Sequence, residues 1–315
     1  MHNVPITARR APLRRVALIL AALAGAAPAI AEDFGDTPYV QTPQNVVDKM
    51  LEIAKVGPRD FVIDLGSGDG RMIITAAKKH GARGFGVDLD RRLVVLANRN
   101  AAKAGVADRA VFYERDLYKT DIRRATVMTI YLLPEVNLMV RPKLLSSLRP
   151  GTRIVSHDYD MGEWTPELSL VMDAPGKTVG RDMKSKVFYW VVPATVSGTW
   201  RWQVTTAGRT QDFDLAAEQM FQNFDGAVVS EGRSGKIEGG KLAGDRITLA
   251  TTIDDGGGAT RYEFSGRVAG DRIKGEIRMV RNGETSKTPW VARRVEKRQP
   301  RHMSLPPPTP FDPPR

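Results

Sequence analysis

The chain has 315 residues, with 47 Lys and Arg against 36 Asp and Glu, a formal charge of +11, 42% hydrophobic and 26% charged residues, and no cysteine. That is the composition of an ordinary globular protein of about two domains and excludes a disordered or multi-spanning chain. Disulfides, thiolate metal sites and a cysteine nucleophile are excluded as well, whatever the compartment.

Arg9, Arg10, Arg14 and Arg15 precede an apolar run from Val16 to Ile30, and Ala29-Ile30-Ala31 then gives way to Glu32-Asp33. These are the three parts of a secretory signal over residues 1–31, with cleavage expected after Ala31 and export to a bacterial periplasm. A membrane anchor or cytoplasmic residence are the alternatives, since the run falls short of the roughly 20 residues that a span needs. Removing residues 1–31 leaves 43 basic and 36 acidic residues, a charge of +7, with much of the excess in Arg293, Arg294, Lys297, Arg298 and Arg301. No aromatic interleaving or nucleic-acid module accompanies these cations, so nucleic acid is not an expected partner. Association with an anionic membrane surface or an acidic partner is the milder reading.

Between 32 and 193, helical and strand patterns alternate. Val46, Val47, Met50, Leu51, Ile53 and Ala54 are spaced as a helix over 42–56 with Pro43 near its start. Strands follow at 61–65, 84–88, 110–114, 127–132 and 152–156, separated by helices after Gly70, over 91–103 and over 137–148; a last β run covers 186–192. Such alternation predicts an α/β fold, a mostly parallel sheet with helices on both faces and an antiparallel edge strand at its end.

After Pro193 the helical period disappears. Glycine-punctuated alternating segments run to residue 298, and Gly240-Lys241-Leu242-Ala243-Gly244-Asp245-Arg246-Ile247 recurs as Gly266-Arg267-Val268-Ala269-Gly270-Asp271-Arg272-Ile273. Each copy reads as strand, turn, strand, which predicts a small antiparallel β-barrel or sandwich over 194–298, closure removing the exposed edges. Trp200 and Trp202 read as its core. Residues 299–315 are rich in proline and read as a disordered tail.

The chemistry concentrates in Asp64-Leu65-Gly66-Ser67-Gly68-Asp69-Gly70, where a buried strand runs into an acidic, glycine-rich turn before a helix. The third glycine comes one residue too early for a dinucleotide fingerprint, and no Walker lysine follows. Asp64 at the strand end would repel a pyrophosphate and attract the amine-bearing end of S-adenosylmethionine. Asp88 ends the second strand, where an acidic side chain can accept hydrogen bonds from both ribose hydroxyls, with Leu89 beside it. Asp116 follows the third strand, placed for an adenine amino group, with Leu117 against the ring. Three acids in register at the carboxyl ends of successive strands argue for one ligand.

On these residues the segment from Tyr39 to Val192 resembles the class I S-adenosylmethionine-dependent methyltransferases, whose sheet is Rossmann-like. Val62 to Arg71 together with Tyr39-Val40-Gln41-Thr42-Pro43 resembles a narrower group, bacterial relatives of the protein-lysine methyltransferases acting on the ATP synthase c subunit. The resemblance implies that Asp64, Gly66, Ser67, Gly68 and Gly70 bind the methionine end, Asp88 and Leu89 the ribose side, and Asp116 and Leu117 the adenine. It also implies that Tyr39 and Thr42 close over the cofactor. After the fourth strand, Tyr131, Leu133, Pro134 and Glu135 form the expected substrate pocket. Base and glutamine methylating enzymes usually carry Asn or Asp, then Pro-Pro and an aromatic here; Leu133-Pro134-Glu135-Val136 departs from that and leaves amines, hydroxyls or carboxylates. Glu135 is a candidate to bind an incoming ammonium or take its proton, or simply the first-turn acid of a helix. His157 is a candidate general base, and no metal is expected. The expected activity is methyl transfer to an amine, most plausibly a protein lysine. A non-catalytic binding module of the cell envelope and a small-molecule O- or N-methyltransferase are the alternatives.

Overall fold

The computed structural model describes residues 39–305 apart from 181, 207, 255 and 256. The expected signal segment and the last ten residues lie outside that range.

The first half is a seven-stranded sheet with helices packed on it. In chain order it comprises α1 (Gln44–Ile53), β1 (Phe61–Leu65), α2 (Arg71–His80), β2 (Arg83–Asp88), α3 (Arg91–Lys103), β3 (Ala110–Glu114), β4 (Val127–Ile130), α4 (Pro134–Ser147), β5 (Arg153–His157), β6 (Leu168–Asp173) and β7 (Lys184–Val191). The strand order is β3-β2-β1-β4-β5-β7-β6. The first five strands pair in parallel, and β7 lies antiparallel between β5 and β6. The strand expected at the edge is therefore one place inside it, and the edge is β6, which the sequence hides because Leu168 and Val171 are exposed there. Central β1 is buried along its length, as a strand covered on both faces must be.

The helix ends follow their residues. α2 starts after Gly70 (φ 82°) and stops at Gly81 (φ 68°), whose amide bonds back to Ala77 O. Asp90 caps α3 by accepting from Arg92 N. α4 begins at Pro134, three residues earlier than the apolar spacing indicated, because proline is favoured in a first turn that needs no amide donor.

The second half is a closed barrel of eight antiparallel strands: β8 (Gly198–Thr206), β9 (Arg209–Met220), β10 (Asn223–Ser230), β12 (Glu238–Ala243), β13 (Arg246–Asp254), β14 (Ala259–Ala269), β15 (Arg272–Arg281) and β16 (Glu284–Lys297), with short β11 (Arg233–Lys236) appended to β10. Pairing of β8 with β16 and of β9 with β10 completes the circuit. Alternation places Trp202, Phe213, Phe264 and Trp290 inside, where Trp202 stacks on Phe213 at 5.4 Å and meets Trp290 edge-on at 5.0 Å. Trp200 is fully buried beneath the Arg294 guanidinium.

The barrel docks at the amino ends of the parallel strands. Ala194 N donates to Gly244 O at 2.8 Å, Gln222 Nε2 to Thr165 O at 2.8 Å, and Phe221 stacks on Trp164 with planes 5° apart. Arg294 fastens the linker by donating to the carbonyls of Thr195 and Ser197. The reading of everything after 298 as disordered is corrected for its first part. Residues Arg301–Ser304 form a 3-10 turn, and buried His302 stacks on Phe221 while its Nδ1 accepts from Phe221 N at 2.8 Å. Proline enrichment concealed this anchor, because one apolar ring seated in a crevice leaves no periodic signal.

Candidate functional site

The glycine turn between β1 and α2 forms a cradle at the carboxyl ends of the strands. Gly66 N and Ser67 N both donate to Val87 O at 2.9 Å, so the turn is tied to β2. Gly68 (φ 52°) and Gly70 (φ 82°) hold left-handed conformations; a Cβ on Gly68 would lie 2.5 Å from the Tyr39 ring, and one on Gly70 2.6 Å from Phe112.

Two aspartates in this cradle sit in opposite electrostatic settings. Asp88 is fixed by backbone amides, Gly68 N on Oδ2 at 2.9 Å and Asp90 N on Oδ1 at 3.0 Å. Each oxygen keeps a lone pair for a further donor. Asp64 is buried and accepts from the Thr129 hydroxyl at 2.6 Å. Burial, reinforced by the charges of Asp88 and Asp69, pushes its carboxyl up to about 8. A cation entering the cradle would supply the missing counter-charge. The Ser67 hydroxyl, also buried, has no hydrogen-bond partner among the described residues. A tight glycine cradle, an uncompensated buried carboxyl, an anchored second carboxylate and an unsatisfied hydroxyl together fit the amino-acid and ribose ends of S-adenosylmethionine.

Asp116 opens the turn after β3, its Oδ1 accepting from Tyr118 N at 2.7 Å. Leu117 is half-buried against the core, and Leu89 is exposed at the end of β2. The segment 39–43 lies over the glycine turn. The Tyr39 ring covers Gly68, and burial pushes its hydroxyl up to about 12. Arg71 joins this segment to the turn, gripping Asp69 through Nη2 at 2.6 Å and donating Nη1 to Thr42 O at 2.7 Å.

His157 is placed differently from the expectation. It is fully buried, with Nδ1 3.1 Å from the Thr42 hydroxyl and Nε2 2.8 Å from the Ser185 hydroxyl, and burial pulls its pKa down to about 4. Both nitrogens are occupied and neither faces open space, so its role is positional: it holds Thr42 on one side and packs on the Tyr131 ring, 4.0 Å away, on the other. Beside it Asp158, at φ 60°, pairs with Lys177 Nζ at 2.8 Å and accepts from the Tyr131 hydroxyl at 3.4 Å.

On the acceptor side, the Tyr131 and Tyr159 rings lie 6.4 Å apart with planes 19° from parallel. Buried Asn137 in α4 shapes the Tyr159 turn by donating to Tyr159 O at 3.2 Å and Asp160 O at 3.3 Å. Leu133 and Pro134 are exposed at the start of α4. Glu135, half-buried in the first turn, makes no hydrogen bond or ion pair among the described residues. Thr129, Lys177 and Ser185 went unread in the sequence. Thr129 sits mid-strand and the rest come from segments that meet only in the folded sheet, so no local spacing marks them.

The order β3-β2-β1-β4-β5-β7-β6 with an acidic glycine turn after β1 defines the class I methyltransferase architecture. Residues 64–168 match the ANTKMT methyltransferase domain family. A protein-lysine N-methyltransferase of Saccharolobus islandicus is 47% identical over 131 residues, which span 41% of this chain and 81% of that protein. The adenine nucleotide translocase lysine N-methyltransferase of Mus musculus is 34% identical over 130 residues, covering 41% of this chain and 56% of the mouse protein. An RNA methyltransferase from Salinibacter ruber, solved with S-adenosyl-L-homocysteine, is 48% identical, covers 50% of this chain and 96% of its own, and has a TM-score of 0.46. Against the Homo sapiens lysine N-methyltransferase of the ATP synthase c subunit, 30% identical, the chain spans 55% of the relative's length. The chain belongs to the class I S-adenosylmethionine-dependent methyltransferases, in the family of these lysine methyltransferases, and carries a β-barrel beside the methyltransferase domain.

Proposed function

We propose that the protein methylates lysine side chains of another protein, with S-adenosylmethionine as donor. The observation that carries this reading is the 47% identity with the archaeal protein-lysine methyltransferase across four-fifths of that protein. The acceptor side agrees with it: the Tyr131 and Tyr159 rings lie 6.4 Å apart beside the start of α4, and Glu135 in that first turn has no ion-pair partner among the described residues.

In this reading Asp64 and the turn 66–70 hold the methionine end, with the ionised Asp64 carboxylate facing its ammonium. Asp88 and Leu89 hold the ribose side, while Asp116 and Leu117 hold the adenine. Tyr39 and Thr42 cover the site, fastened by Arg71 and His157. When bound, the cofactor supplies a sulfonium methyl group open to attack by an amine. The chain's own task is then to align that amine and exclude water. Tyr131 and Tyr159 confine the lysine stem, and their apolar faces favour the neutral amine required for attack. Glu135 receives the arriving ammonium and takes its proton.

The test is incubation of the protein with methyl-labelled S-adenosylmethionine and, separately, a total protein extract, an RNA extract and a small-metabolite extract. Label recovered as methyllysine after hydrolysis of the protein fraction is the expected result. Label confined to metabolites or RNA would refute the acceptor assignment. Calorimetric cofactor binding without transfer to any fraction would instead identify a non-catalytic module.

A further inference from the structure

The outer wall of the barrel carries an arrangement that folding alone disfavours. In β13 to β16 and β8, cations stand directly opposite cations: Arg246 faces Arg267, Arg267 faces Lys274, Arg272 faces Arg293, and Arg293 faces Arg201. Like charges at directly opposed positions repel and weaken a sheet. All six side chains are exposed. Arg267 and Arg201 are tempered by Asp245 and Asp214, at 2.6 and 2.7 Å. Arg246, Arg272, Lys274 and Arg293 make no ion pair among the described residues. Elsewhere on the same wall the chain uses complementary pairing: Glu263 stands opposite Arg278 and bonds it at 2.8 Å. Opposed cations also occur outside the belt, Arg278 facing Lys287, but each of those has its own carboxylate, Glu263 and Glu276 at 2.8 Å. The belt is set apart by four cations without one among the described residues.

The belt crosses five neighbouring strands, roughly 19 Å at about 4.8 Å per strand spacing. It lies next to the turns at Gly244 and Gly270, and Gly244 abuts Gly151 at the amino end of β5, the end of the sheet opposite the cofactor cradle. It cannot take part in methyl transfer. Strands β9 and β10 carry the opposite sign, Asp212, Asp214, Glu218 and Asp225 against Arg209, while β12 balances Glu238 with Lys241.

We propose that this basic belt docks the protein on an anionic phospholipid surface. A row of unpaired cations flanked by exposed aliphatic side chains, Val291 at 43% and Val295 at 55% exposure, matches the composition of a lipid headgroup boundary, where each Lys or Arg adds attraction to anionic lipid. The belt lacks the exposed aromatic rings on which single-stranded nucleic acid stacks.

The test is co-sedimentation of the full chain with vesicles of phosphatidylcholine alone and of phosphatidylcholine mixed with phosphatidylglycerol, at low and high salt. The wild type is expected to bind only the mixed vesicles and to be released by salt. The variant carrying Arg246→Gln, Arg272→Gln, Lys274→Gln and Arg293→Gln should lose about fivefold in partitioning per cation removed, on the basis of about 1 kcal/mol for each. It should also unfold at the same temperature or higher, since repulsion has been relieved. A second variant with the three arginines changed to lysine keeps the charge and should keep the binding. Equal binding to neutral vesicles, or undiminished binding by the glutamine variant, overturns the proposal. Belt-dependent binding to an RNA duplex with none to vesicles overturns it too, and reassigns the belt to nucleic acid.

Discussion

The methyltransferase sheet and the barrel keep their departures from a relaxed fold in opposite places. In the sheet the departure is internal: left-handed glycines and a buried carboxyl, Asp64, with no cation beside it among the described residues. In the barrel the interior is packed with stacked aromatic rings, and the departure is external, a belt of cations set against each other. An internal charge without a counter-ion suits a small ligand that brings the opposite charge with it. An external run of one sign suits a large surface. The size of the ligand is thus written in the side of the fold on which the imbalance sits.

The largest expected effect tests whether the two regions are energetically separate. Trp290→Ala removes a fully buried ring in contact with Trp202 and Phe264 and should cost about 3–5 kcal/mol of barrel stability, read by urea unfolding. The cofactor dissociation constant, measured by calorimetry on protein that is still folded, should not move. A tenfold weakening would show that the cradle depends on the barrel.

Asp64→Asn comes next. It should weaken cofactor binding about a hundredfold, roughly 3 kcal/mol, by removing one partner of a buried charge pair. The pH behaviour sharpens this. With the empty carboxyl raised to about 8, binding an ammonium must release its proton, so wild-type affinity should rise with pH between 5.5 and 7 and the Asn variant should lose that slope. Stability moves the other way. A carboxyl whose folded value lies above its unfolded one stabilises fully below about 4, and that contribution is lost as pH rises through about 8. The cofactor-free Asn variant should therefore gain melting temperature over wild type at pH 9 and much less at pH 5.

Much of this was legible in the sequence because it is local. Asp64, the glycine turn, Asp88 and Asp116 fall at fixed offsets from strand ends, and the repeated Ala-Gly-Asp turns announced antiparallel hairpins. What escaped depends on contacts between distant segments. His157 reads as a base in a strand-end turn, and only the fold shows Thr42 and Ser185 occupying its two nitrogens. β6 escaped because an exposed edge strand has no buried face to set a period, and the 3-10 turn at 301–304 because it is held by one ring stack. The cationic excess was visible as a number, but its concentration on one wall follows from strand register.

The smallest expected effect concerns the two histidines buried among the described residues, one in each region. Burial lowers both His157 and His302 to about 4 from 6.5. Each is neutral in the folded protein while the unfolded chain takes up a proton, so the stability is present above 6.5 and lost as pH falls toward 4. Each contributes a slope of up to about 1.4 kcal/mol per pH unit in that window. Asp64 opposes them there and acts alone between 6.5 and 8, so these three groups together place a maximum near pH 6.5. His157→Gln and His302→Gln should each flatten the acid limb by a similar amount in thermal unfolding from pH 4 to 7. They should differ at the cradle. His157→Gln disturbs the contacts with Thr42 and Tyr131 and should weaken cofactor binding a few-fold, a tertiary coupling on the scale of about 1 kcal/mol. His302→Gln, seated against Phe221 at the far end of the sheet, should leave that affinity unchanged. Equal loss of affinity in both variants would mean that the barrel interface and the cofactor cover move together, and the separation of the two regions would fail.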